Sequence, residues 1–391
     1  MINLYTRSEI MSIINEKRIR EYQIKEEVFK SYLLKSLERT DQNIDYFTTG
    51  FPHVSEEGVY PQEPNKLWTA SFFPGMVNLA YGITKDEKFL RNQTFYLDSF
   101  EERLLHGAMD THDIGFLFSL TCVALYKETQ NKRAYDLAIA AADRLITRYN
   151  ERGKYIQAWG KMGIGVPNVK IIIDCMLNLP LLYWTFEQTK NPIYDEVARE
   201  HATTSASTLV RSDGSTYHTY LMDPISGRAI QGKTHQGLAD ETTWARGQAW
   251  SLYGFTLSYM YTKDPLYLDT AIQNADYFIN NLPENYVCYW DFSYTDIDPD
   301  IRDTSAASIG AAGLLELAKY VDPEQGKLYK KAAKIIMQQL CEHYFVEDSG
   351  NGLLKEGMYH RNNGFNESTS WGDYFFLEAL SKINGYDTLF W

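Results

Sequence analysis

The chain has 391 residues, of which 44% are hydrophobic and 23% are charged, and its formal net charge at pH 7 is −13. This length allows either two medium domains or one large core. The negative charge argues against nucleic acid and against an anionic membrane surface as partners, because both require a basic footprint. Aromatic side chains make up 14% of the residues, which suits both tightly packed helices and a cleft that stacks sugar rings.

The first 20 residues are polar and charged, and we expect them to form an N-terminal extension. They lack the apolar core of a signal peptide, and no stretch approaches the roughly 20 apolar residues of a membrane span. A cytoplasmic protein is therefore expected. The cysteines are far apart and form no Cys-x-x-Cys pair; they are Cys122, Cys175, Cys288 and Cys341. Such spacing indicates reduced, buried thiols rather than disulfides or a zinc site.

Apolar residues recur at helical spacing along most of the chain, which predicts twelve helices. In chain order they lie near residues 22–46, 68–83, 87–105, 113–129, 133–150, 170–189, 193–211, 243–263, 267–282, 303–321, 326–345 and 367–384. Similar polar joints, each followed by an aromatic residue that starts a new helix, recur at residues 80–89, 126–135, 187–194, 261–267 and 321–329. This degenerate repeat indicates that one structural unit is used several times.

Short joints alternate with long loops, for example at residues 151–169, 212–241 and 283–302. Six helix hairpins, with short turns at one rim and long loops at the other, predict an all-α fold, the (α/α)6 barrel, with its active site on the long-loop rim. We expect one domain over residues 1–391, since no linker is visible. A generic helical bundle or an open solenoid is the alternative. Isolated strands are expected only in the long loops, as at residues 215–220.

Asp174 stands inside an otherwise apolar run, residues 171–179. Burial disfavours the charged form of a carboxyl, so such a group is either paired or partly protonated. A carboxylic acid with a raised pKa can donate a proton to a weakly basic substrate. The alternative is a structural aspartate that binds a neighbouring helix. Asp113 precedes a second apolar segment, and two carboxyls facing one cavity would indicate acid/base chemistry.

Arg246 and Trp250 are four residues apart and therefore share a helix face. An arginine beside an indole can bind a carboxylate while the ring stacks on a sugar, or the two can simply pack in the core. The same pair of interpretations, ligand contact or structural side chain, applies to Trp68, His112, Trp159 and His218. No metal-ligand spacing, Gly-rich phosphate loop or Gly-x-Ser-x-Gly element occurs, so we expect no metal, no cofactor and no serine nucleophile.

Taken together, several segments resemble the unsaturated glucuronyl hydrolases of glycoside hydrolase family 88. The similarity runs from about Asp45 to Trp391. It is carried by His-Asp-Ile-Gly-Phe at 112–116, Gln-Ala-Trp-Gly at 157–160, Ile-Ile-Asp-Cys at 172–175, Trp-Ala-Arg-Gly-Gln at 244–248 and Trp-Gly-Asp-Tyr at 371–374. The Trp-Ala-Arg-Gly element by itself is shared with the related unsaturated rhamnogalacturonyl hydrolases.

The resemblance implies an (α/α)6 barrel, without a metal, that removes a 4,5-unsaturated glucuronic acid from the non-reducing end of lyase-generated glycosaminoglycan oligosaccharides. In such enzymes a general acid protonates C4 of the C4=C5 enol ether and water adds at C5. By position, Asp174 matches the general acid/base and Asp113 the second essential aspartate. The sugar-contacting positions of the family fall on Trp68, His112, Trp159, His218, Gln236, Arg246 and Trp250.

The chain departs from the members that prefer sulfated disaccharides. Their Ser-x-x-Ser-x-Lys element is replaced here by Met358, Arg361 and Asn363, so a preference for sulfate is not implied. Arg361 nevertheless offers the substrate one positive charge in a different geometry. The resemblance implies an unsaturated uronyl oligosaccharide as the partner of a monomer or homodimer.

Two other functions stay open at this stage. One is an unsaturated rhamnogalacturonyl hydrolase that acts on pectin fragments. The other is a non-catalytic, sugar-binding helical toroid, which would bind the same oligosaccharides without consuming them. The combination of Asp113 and Asp174 with His112 favours the glucuronyl hydrolase.

Overall fold

The computed structural model describes residues 15–163, 169–294, 301–347, 350–360 and 362–391. After a helical segment at residues 15–21, the helices in these ranges are α1 (Glu26–Tyr46), α2 (Phe72–Thr84), α3 (Gln93–His106), α4 (Ile114–Phe118), α5 (Ala124–Thr129), α6 (Lys132–Ile146), α7 (Pro180–Thr189), α8 (Pro192–Thr208), α9 (Ala245–Thr262), α10 (Pro265–Asn280), α11 (Thr304–Leu317), α12 (Pro323–Gln339) and α13 (Ser370–Ile383). A π-helical turn, Ser119–Val123, joins α4 to α5, so that the two act as one barrel helix.

An inner ring of helices closes on itself. It is formed by α2, α4–α5, α7, α9, α11 and α13, each packed on the next, with α13 returning to α2. These helices are buried almost all round: every residue of α11 is buried, and α9 is buried from Ala245 to Ser258. The outer helices α1, α3, α6, α8, α10 and α12 bury a single apolar face. This alternation of apolar and amphipathic helices is the predicted (α/α)6 barrel.

The short turns between inner and outer helices share one capping geometry. Four inner helices are each followed by a left-handed residue, with φ between 55° and 59°: Lys85, Gln130, Lys190 and Lys263. The next residue is an Asp or Asn in each case, and its side chain accepts a hydrogen bond from the first turn of the following helix or, at Asp86, of a 3₁₀ turn, Glu87–Leu90, that precedes α3. Left-handed C-caps and Asx N-caps end one helix and begin another within two residues, which accounts for four of the five polar joints seen in the sequence; the joint at 321–329 keeps only the Asp322 N-cap.

The opposite rim carries the long loops and all the described strands: β1 (Tyr149–Asn150), β2 (Tyr155–Ile156), β3 (Lys170–Ile172), β4 (Thr219–Met222), β5 (Ala229–Lys233), β6 (Gly357–His360) and β7 (Asn363–Glu367). Strands β3, β4 and β5 form an antiparallel sheet, and β6 pairs with β7 as a hairpin. Strands were expected only in loops of this kind, and β4 overlaps the predicted segment 215–220.

The prediction of a helix over residues 170–189 is wrong in its first half. Residues 170–172 form β3, Ile173–Leu177 is a 3₁₀ turn, and α7 begins only at Pro180. The β-branched Ile171–Ile173 run favours a strand once β4 is available to pair with it. Pro180 in turn favours the first turn of a helix over its interior.

The N-terminal helical segment packs on the barrel. Asn15 Nδ2 donates to Asn280 O at 2.7 Å, and Ile19 is buried. The single domain over 1–391 and the N-terminal extension stay predictions, since residues 1–14 lie outside the described ranges. The four cysteines are buried free thiols, as predicted. In the part of the chain that the structure describes, every helix is too short or too polar to cross a bilayer.

Candidate active site

A cleft of about 510 Å³ opens on the long-loop rim. Its described lining residues all lie in chain segments that lead into inner helices: Trp68, His112, Asp113, Trp159, Asp174, His235, Gln236, Tyr359, His360 and Asn363. Aromatic rings and imidazoles thus surround two carboxyls and two amides. Such a mixture of stacking surfaces with a few convergent polar groups is typical of a small-molecule site, and of a sugar site in particular.

Asp174 is placed in the cleft by the β3 strand and the turn that follows it. Strand β3 pairs with β4, and the Ile173 N–H donates to His218 O at 3.1 Å, which fixes the turn. The flanking residues Ile173 and Cys175 are fully buried, whereas the Asp174 side chain is 16% exposed. The carboxyl of Asp174 is therefore the polar group in an otherwise apolar, buried segment, and it lines the cleft.

The pKa of Asp174 is raised from its ordinary value to about 7. Burial is the largest cause, and the negative charge of Asp113 adds to it, while the positive charge of Arg246 opposes it. At neutral pH a sizeable fraction of the protein molecules therefore carry Asp174 as the protonated carboxylic acid. Its Oδ1 forms no hydrogen bond with a neighbouring side chain among the described residues.

A second buried aspartate shows why Asp174 is unusual. Asp373, on α13, also has a raised pKa, about 6, because it is buried. Its carboxyl, however, accepts hydrogen bonds from the Leu354 N–H at 3.0 Å and from the Tyr60 hydroxyl at 2.8 Å. Asp373 is thus a structural group that ties two loops to the barrel, whereas Asp174 lines the cleft and its buried Oδ1 has no hydrogen-bond partner among the described residues.

His218 faces the free oxygen of Asp174. Its Nδ1 accepts hydrogen bonds from the backbone N–H groups of His235 and Gln236, both at 3.1 Å. Burial, together with the nearby charge of other groups, lowers the pKa of His218 well below its usual value, so the ring is neutral. The proton of a neutral ring whose Nδ1 is an acceptor must sit on Nε2. That N–H lies 3.9 Å from Asp174 Oδ1.

Asp113 precedes α4 and is held by its neighbours in sequence. Its Oδ2 accepts a hydrogen bond from Thr111 Oγ1 at 2.5 Å, and its Oδ1 lies 3.4 Å from His112 Nε2. The His112 N–H donates to Ala158 O at 2.8 Å, which joins this segment to the loop of Trp159. The His-Asp pair and one aromatic wall of the cleft are therefore one connected unit.

The segments that carry the two aspartates meet at Gly115 and Asn178. The Phe116 N–H donates to Asn178 Oδ1 at 2.6 Å, and Asn178 Nδ2 donates to Asp174 O at 3.2 Å. A Cβ on Gly115 would lie 2.3 Å from both Cα and O of Asn178. The glycine in His-Asp-Ile-Gly thus permits the close approach that brings Asp113 and Asp174 to the same cleft.

Gly115→Ala is expected to damage stability and activity together. Because the new Cβ would meet backbone atoms rather than a flexible side chain, the two segments must separate, at a cost of about 2–3 kcal/mol. We expect kcat to fall by more than about tenfold, since displacement of a catalytic group is costly. Urea unfolding and kcat measure the two effects. Gly82→Ala is the control, because its Cβ would meet only the flexible Glu128 side chain; equal behaviour of both variants would contradict the prediction.

Trp159 and Trp68 form aromatic walls. Trp159 is 39% exposed and meets the His235 ring edge-to-face, with 5.2 Å between centroids. Gln157 Nε2 donates to the Trp159 carbonyl at 2.8 Å and so fixes this loop. Trp68 packs on Trp371 at 5.0 Å and presents its remaining surface to the cleft. Both rings offer flat apolar surface beside polar groups, the arrangement on which a pyranose ring stacks.

Arg246 lies beneath the cleft rather than in its lining. Its fully buried guanidinium pairs with Asp303 Oδ2 at 3.0 Å and donates to the carbonyl oxygens of Met358 and, at 3.1 Å, Tyr359. The rings beside it are Trp244 and Trp371, at 4.5 and 5.1 Å. Arg246 therefore anchors strand β6, which carries one wall of the cleft, to the inner helices.

The model of Glycosyl Hydrolase Family 88 matches residues 43–390. The chain belongs to this family. It is 42% identical over 361 residues to the unsaturated glucuronyl hydrolase of Bacillus sp. (strain GL1), a match that covers 90% of this chain and 96% of the relative. It is 37% identical to an unsaturated chondroitin disaccharide hydrolase of Streptococcus agalactiae, with 98% of each chain covered.

A solved structure agrees with the family assignment. The crystal structure of the unsaturated glucuronyl hydrolase from Streptococcus agalactiae matches with a TM-score of 0.91 and 37% identity, covering 96% of this chain and 97% of that one. The resemblance seen in the sequence is thereby confirmed, and with it the helical barrel. The protein is a glycoside hydrolase of this family.

For the family 88 chain, the predicted site residues separate into three groups. The cleft brings together Asp113, Asp174, Trp68, His112, Trp159 and Gln236, and His218 lies against Asp174. Arg246 and Trp250 are fully buried outside the cleft lining, Trp250 against Phe116 and Phe375. Arg361 lies outside the described residues. The roles assigned to all these residues stay predictions.

His235, Tyr359 and His360 also line the cleft, although no sequence motif singles them out. Their signal was weak: His235 is next to Gln236, and the other two lie in a hairpin with no helical periodicity. Among the described residues, no group of three or more His, Cys, Asp or Glu side chains is arranged to hold a metal ion.

Proposed function

We propose that the protein releases 4,5-unsaturated glucuronic acid from the non-reducing end of lyase-generated glycosaminoglycan oligosaccharides. The observation that carries the proposal is the environment of Asp174, an acid with a pKa of about 7 that lines a cleft of indoles and imidazoles and whose buried Oδ1 has no hydrogen-bond partner among the described residues. The relatives named as unsaturated glucuronyl and chondroitin disaccharide hydrolases support the same substrate class.

The proposed reaction is hydration of an enol ether rather than direct cleavage of a glycosidic bond. The carboxylic acid of Asp174 gives its proton to C4, and positive charge develops at C5 and the ring oxygen. Water then adds at C5 while the Asp174 carboxylate takes up the proton that the water loses. The resulting hemiketal opens, and its collapse expels the remaining sugar. Because Asp174 has taken a proton from the attacking water, it is protonated again for the next turnover.

The other residues have supporting roles in this proposal. Asp113 accepts hydrogen bonds from the sugar hydroxyls, and His112 donates one to them. The negative charge of Asp113 also helps to keep Asp174 protonated. The His218 Nε2–H faces the carboxylate that forms after proton transfer. Trp68 and Trp159 stack on the sugar, and Gln236 offers its amide. Arg361 supplies a cation to the substrate, while Trp250 supports the cleft from the core.

We further propose a cytoplasmic enzyme that needs no second chain to line its cleft, whether it is a monomer or a homodimer. Four buried free thiols suit a reducing compartment. The net charge of −13 argues against nucleic acid and membrane surfaces as partners. The oligosaccharide is then the partner that matters for function.

The test is the ultraviolet absorbance of the C4=C5 bond. Unsaturated disaccharides prepared with lyases from hyaluronan, chondroitin, heparin and pectin are each incubated with the protein, and decay is expected on at least one glycosaminoglycan substrate. Decay on the pectin product alone would favour the rhamnogalacturonyl hydrolase. Binding without any decay would leave a non-catalytic sugar-binding barrel and reject the enzyme.

The pH dependence follows from the raised pKa of Asp174. Because the protonated acid is the reactive form, kcat/KM should be constant below pH 7 and fall about tenfold per pH unit above it. The substrate is an anion, so its binding raises the pKa of Asp174 further, and the alkaline limb of kcat should lie at higher pH than that of kcat/KM. Steady-state rates over pH 5–9 check both. If the apparent pKa of the alkaline limb changes strongly with temperature, as the pKa of an imidazole does, the limb does not belong to a carboxyl and the assignment is wrong.

A further inference from the structure

Two buried arginines lie at the long-loop rim without lining the cleft, in addition to Arg246. Arg103 is in the last turn of α3, and Arg148 follows the end of α6. Burial lowers the pKa of both guanidiniums, that of Arg103 to about 10, yet both are cations at neutral pH. Because a buried cation is costly unless polar groups surround it, the partners of these two side chains show what they contribute.

Arg148 holds the loop of Trp159 on both sides of the ring. Its Nε donates to Gln157 O at 2.9 Å and its Nη2 donates to Gly160 O at 3.0 Å. The Gln157 N–H donates in turn to Arg148 O at 2.9 Å. The carboxylate of Asp110 is farther away, 3.9 Å from Nη1. Carbonyl oxygens are therefore the close partners of this cation, and through them it fixes the backbone before and after Trp159.

Arg103 holds the segment before Trp68 in the same way. Its Nη1 donates to Leu67 O at 2.7 Å and to Asn65 Oδ1 at 2.9 Å, and its Nη2 donates to Lys66 O at 3.3 Å. Trp68 is the next residue in the chain. Each of the two aromatic walls of the cleft is thus attached, through its own backbone, to a buried guanidinium of an outer helix or its end.

We propose that Arg103 and Arg148 are positioning residues for the reaction. Each of them holds one aromatic wall of the cleft in the orientation in which the sugar stacks. A guanidinium suits this role because its planar fork donates in several fixed directions at once, whereas an ammonium is a single point of charge. The inference rests on the proposed function, since it requires that both rings stack on the substrate.

Arg103→Met and Arg148→Met test the proposal, because methionine is apolar and removes every donor. Stacking stabilises the bound substrate and the transition state about equally. We therefore expect KM, for the unsaturated disaccharide that the wild type consumes fastest, to rise about five- to tenfold while kcat stays within about threefold.

Arg39→Met is the matched control. Arg39, on α1, also donates to backbone carbonyl oxygens on the same rim, those of Val346, Gly350 and Gly352. None of the described residues of that loop lines the cleft. Its replacement should reduce stability towards urea, as the other two replacements do, and leave KM and kcat unchanged. A similar rise of KM in this variant would overturn the proposal.

A double-mutant cycle separates positioning from general stability. In a Trp159→Ala background the ring that Arg148 holds is gone, so Arg148→Met should change KM less than about twofold. Arg103→Met should keep its full effect there. In a Trp68→Ala background the two arginines should exchange these results. An equal effect of Arg148→Met with and without the Trp159 ring would overturn the proposal.

Arg148→Lys keeps the test possible if the methionine variant does not fold. Its ammonium retains the charge but cannot bind the carbonyl groups on both sides of the ring, so KM should stay raised by about threefold. A KM equal to that of the wild type would show that only the charge matters and would overturn the positioning role alone. Absence of turnover by the wild type on every unsaturated disaccharide would instead reject the proposed function.

Discussion

Replacement of Asp174 by asparagine is expected to lower kcat by at least about 10³-fold and to leave the barrel folded. Asparagine has nearly the same shape but can neither donate the proton to C4 nor accept one from water, so both halves of the reaction fail. The decay of the C4=C5 absorbance measures the loss. A circular dichroism spectrum and a substrate affinity of the variant that both match those of the wild type would show that the chemical step, and not the fold, is lost.

The same variant should also be more stable at high pH. The folded-state pKa of Asp174, about 7, lies above the ordinary value of 3.8, so the folded protein binds this proton more tightly than the unfolded chain does. The free energy of unfolding of the wild type therefore decreases as the pH rises from about 4 to about 7. Asparagine does not ionise, and Asp174→Asn should be about 2–4 kcal/mol more stable than the wild type at pH 8, but not at pH 4.

Asp373→Asn is the matched control. This aspartate is buried more deeply and also has a raised pKa, but it accepts two hydrogen bonds and lies outside the cleft lining. Its replacement should reduce stability, because a hydrogen-bond acceptor is lost, and leave kcat within a few-fold of the wild type. Loss of activity with Asp373→Asn, or near-normal turnover with Asp174→Asn, would show that the general acid is assigned to the wrong residue.

The barrel is predictable from the sequence because its signal is local and repeated. Apolar helices alternate with amphipathic ones, and four of the short turns carry the same Lys/Gln–Asp/Asn pair, as at Lys85–Asp86 and Lys263–Asp264. The strand before Asp174 is not local: β3 exists because β4, nearly fifty residues later, pairs with it. For the same reason His235 and Tyr359 could not be placed in the cleft from the sequence, since loops distant in the chain bring them there.

The surroundings of Arg246 show a subtler limit. The i, i+4 spacing suggested Trp250 as its neighbour, but the guanidinium packs on Trp244, two residues earlier, and on Trp371. Side chains on a helix point back towards its N-terminus, so an arginine in the first turn reaches the residues that precede the helix. Its partner Asp303 lies at the start of α11, 57 residues later, and no sequence pattern joins the two.

Arg246→Met is expected to destabilise the protein by about 3–5 kcal/mol, because it leaves the fully buried carboxylate of Asp303 without its cation. The change also removes the donors to the Met358 and Tyr359 carbonyl oxygens, which loosens the hairpin wall of the cleft and raises KM. Since the charge of Arg246 lowers the pKa of Asp174, its removal should move the alkaline limb of kcat/KM to higher pH. Chemical denaturation and the pH–rate profile measure these effects.

The double variant Arg246→Met/Asp303→Leu separates a buried ion pair from a substrate contact. With both charges removed and the space filled by apolar side chains, much of the lost stability should return, since no unpaired charge is left in the core. The raised KM should persist, because the anchor of β6 is still missing. If Arg246 acts only by contacting the sugar, Arg246→Met should raise KM. The free energy of unfolding and the alkaline limb of kcat/KM, which reports the ionisation of Asp174, should then stay unchanged. A shift of all three properties together is the signature of a positioning residue that acts through the hairpin and through the field at Asp174.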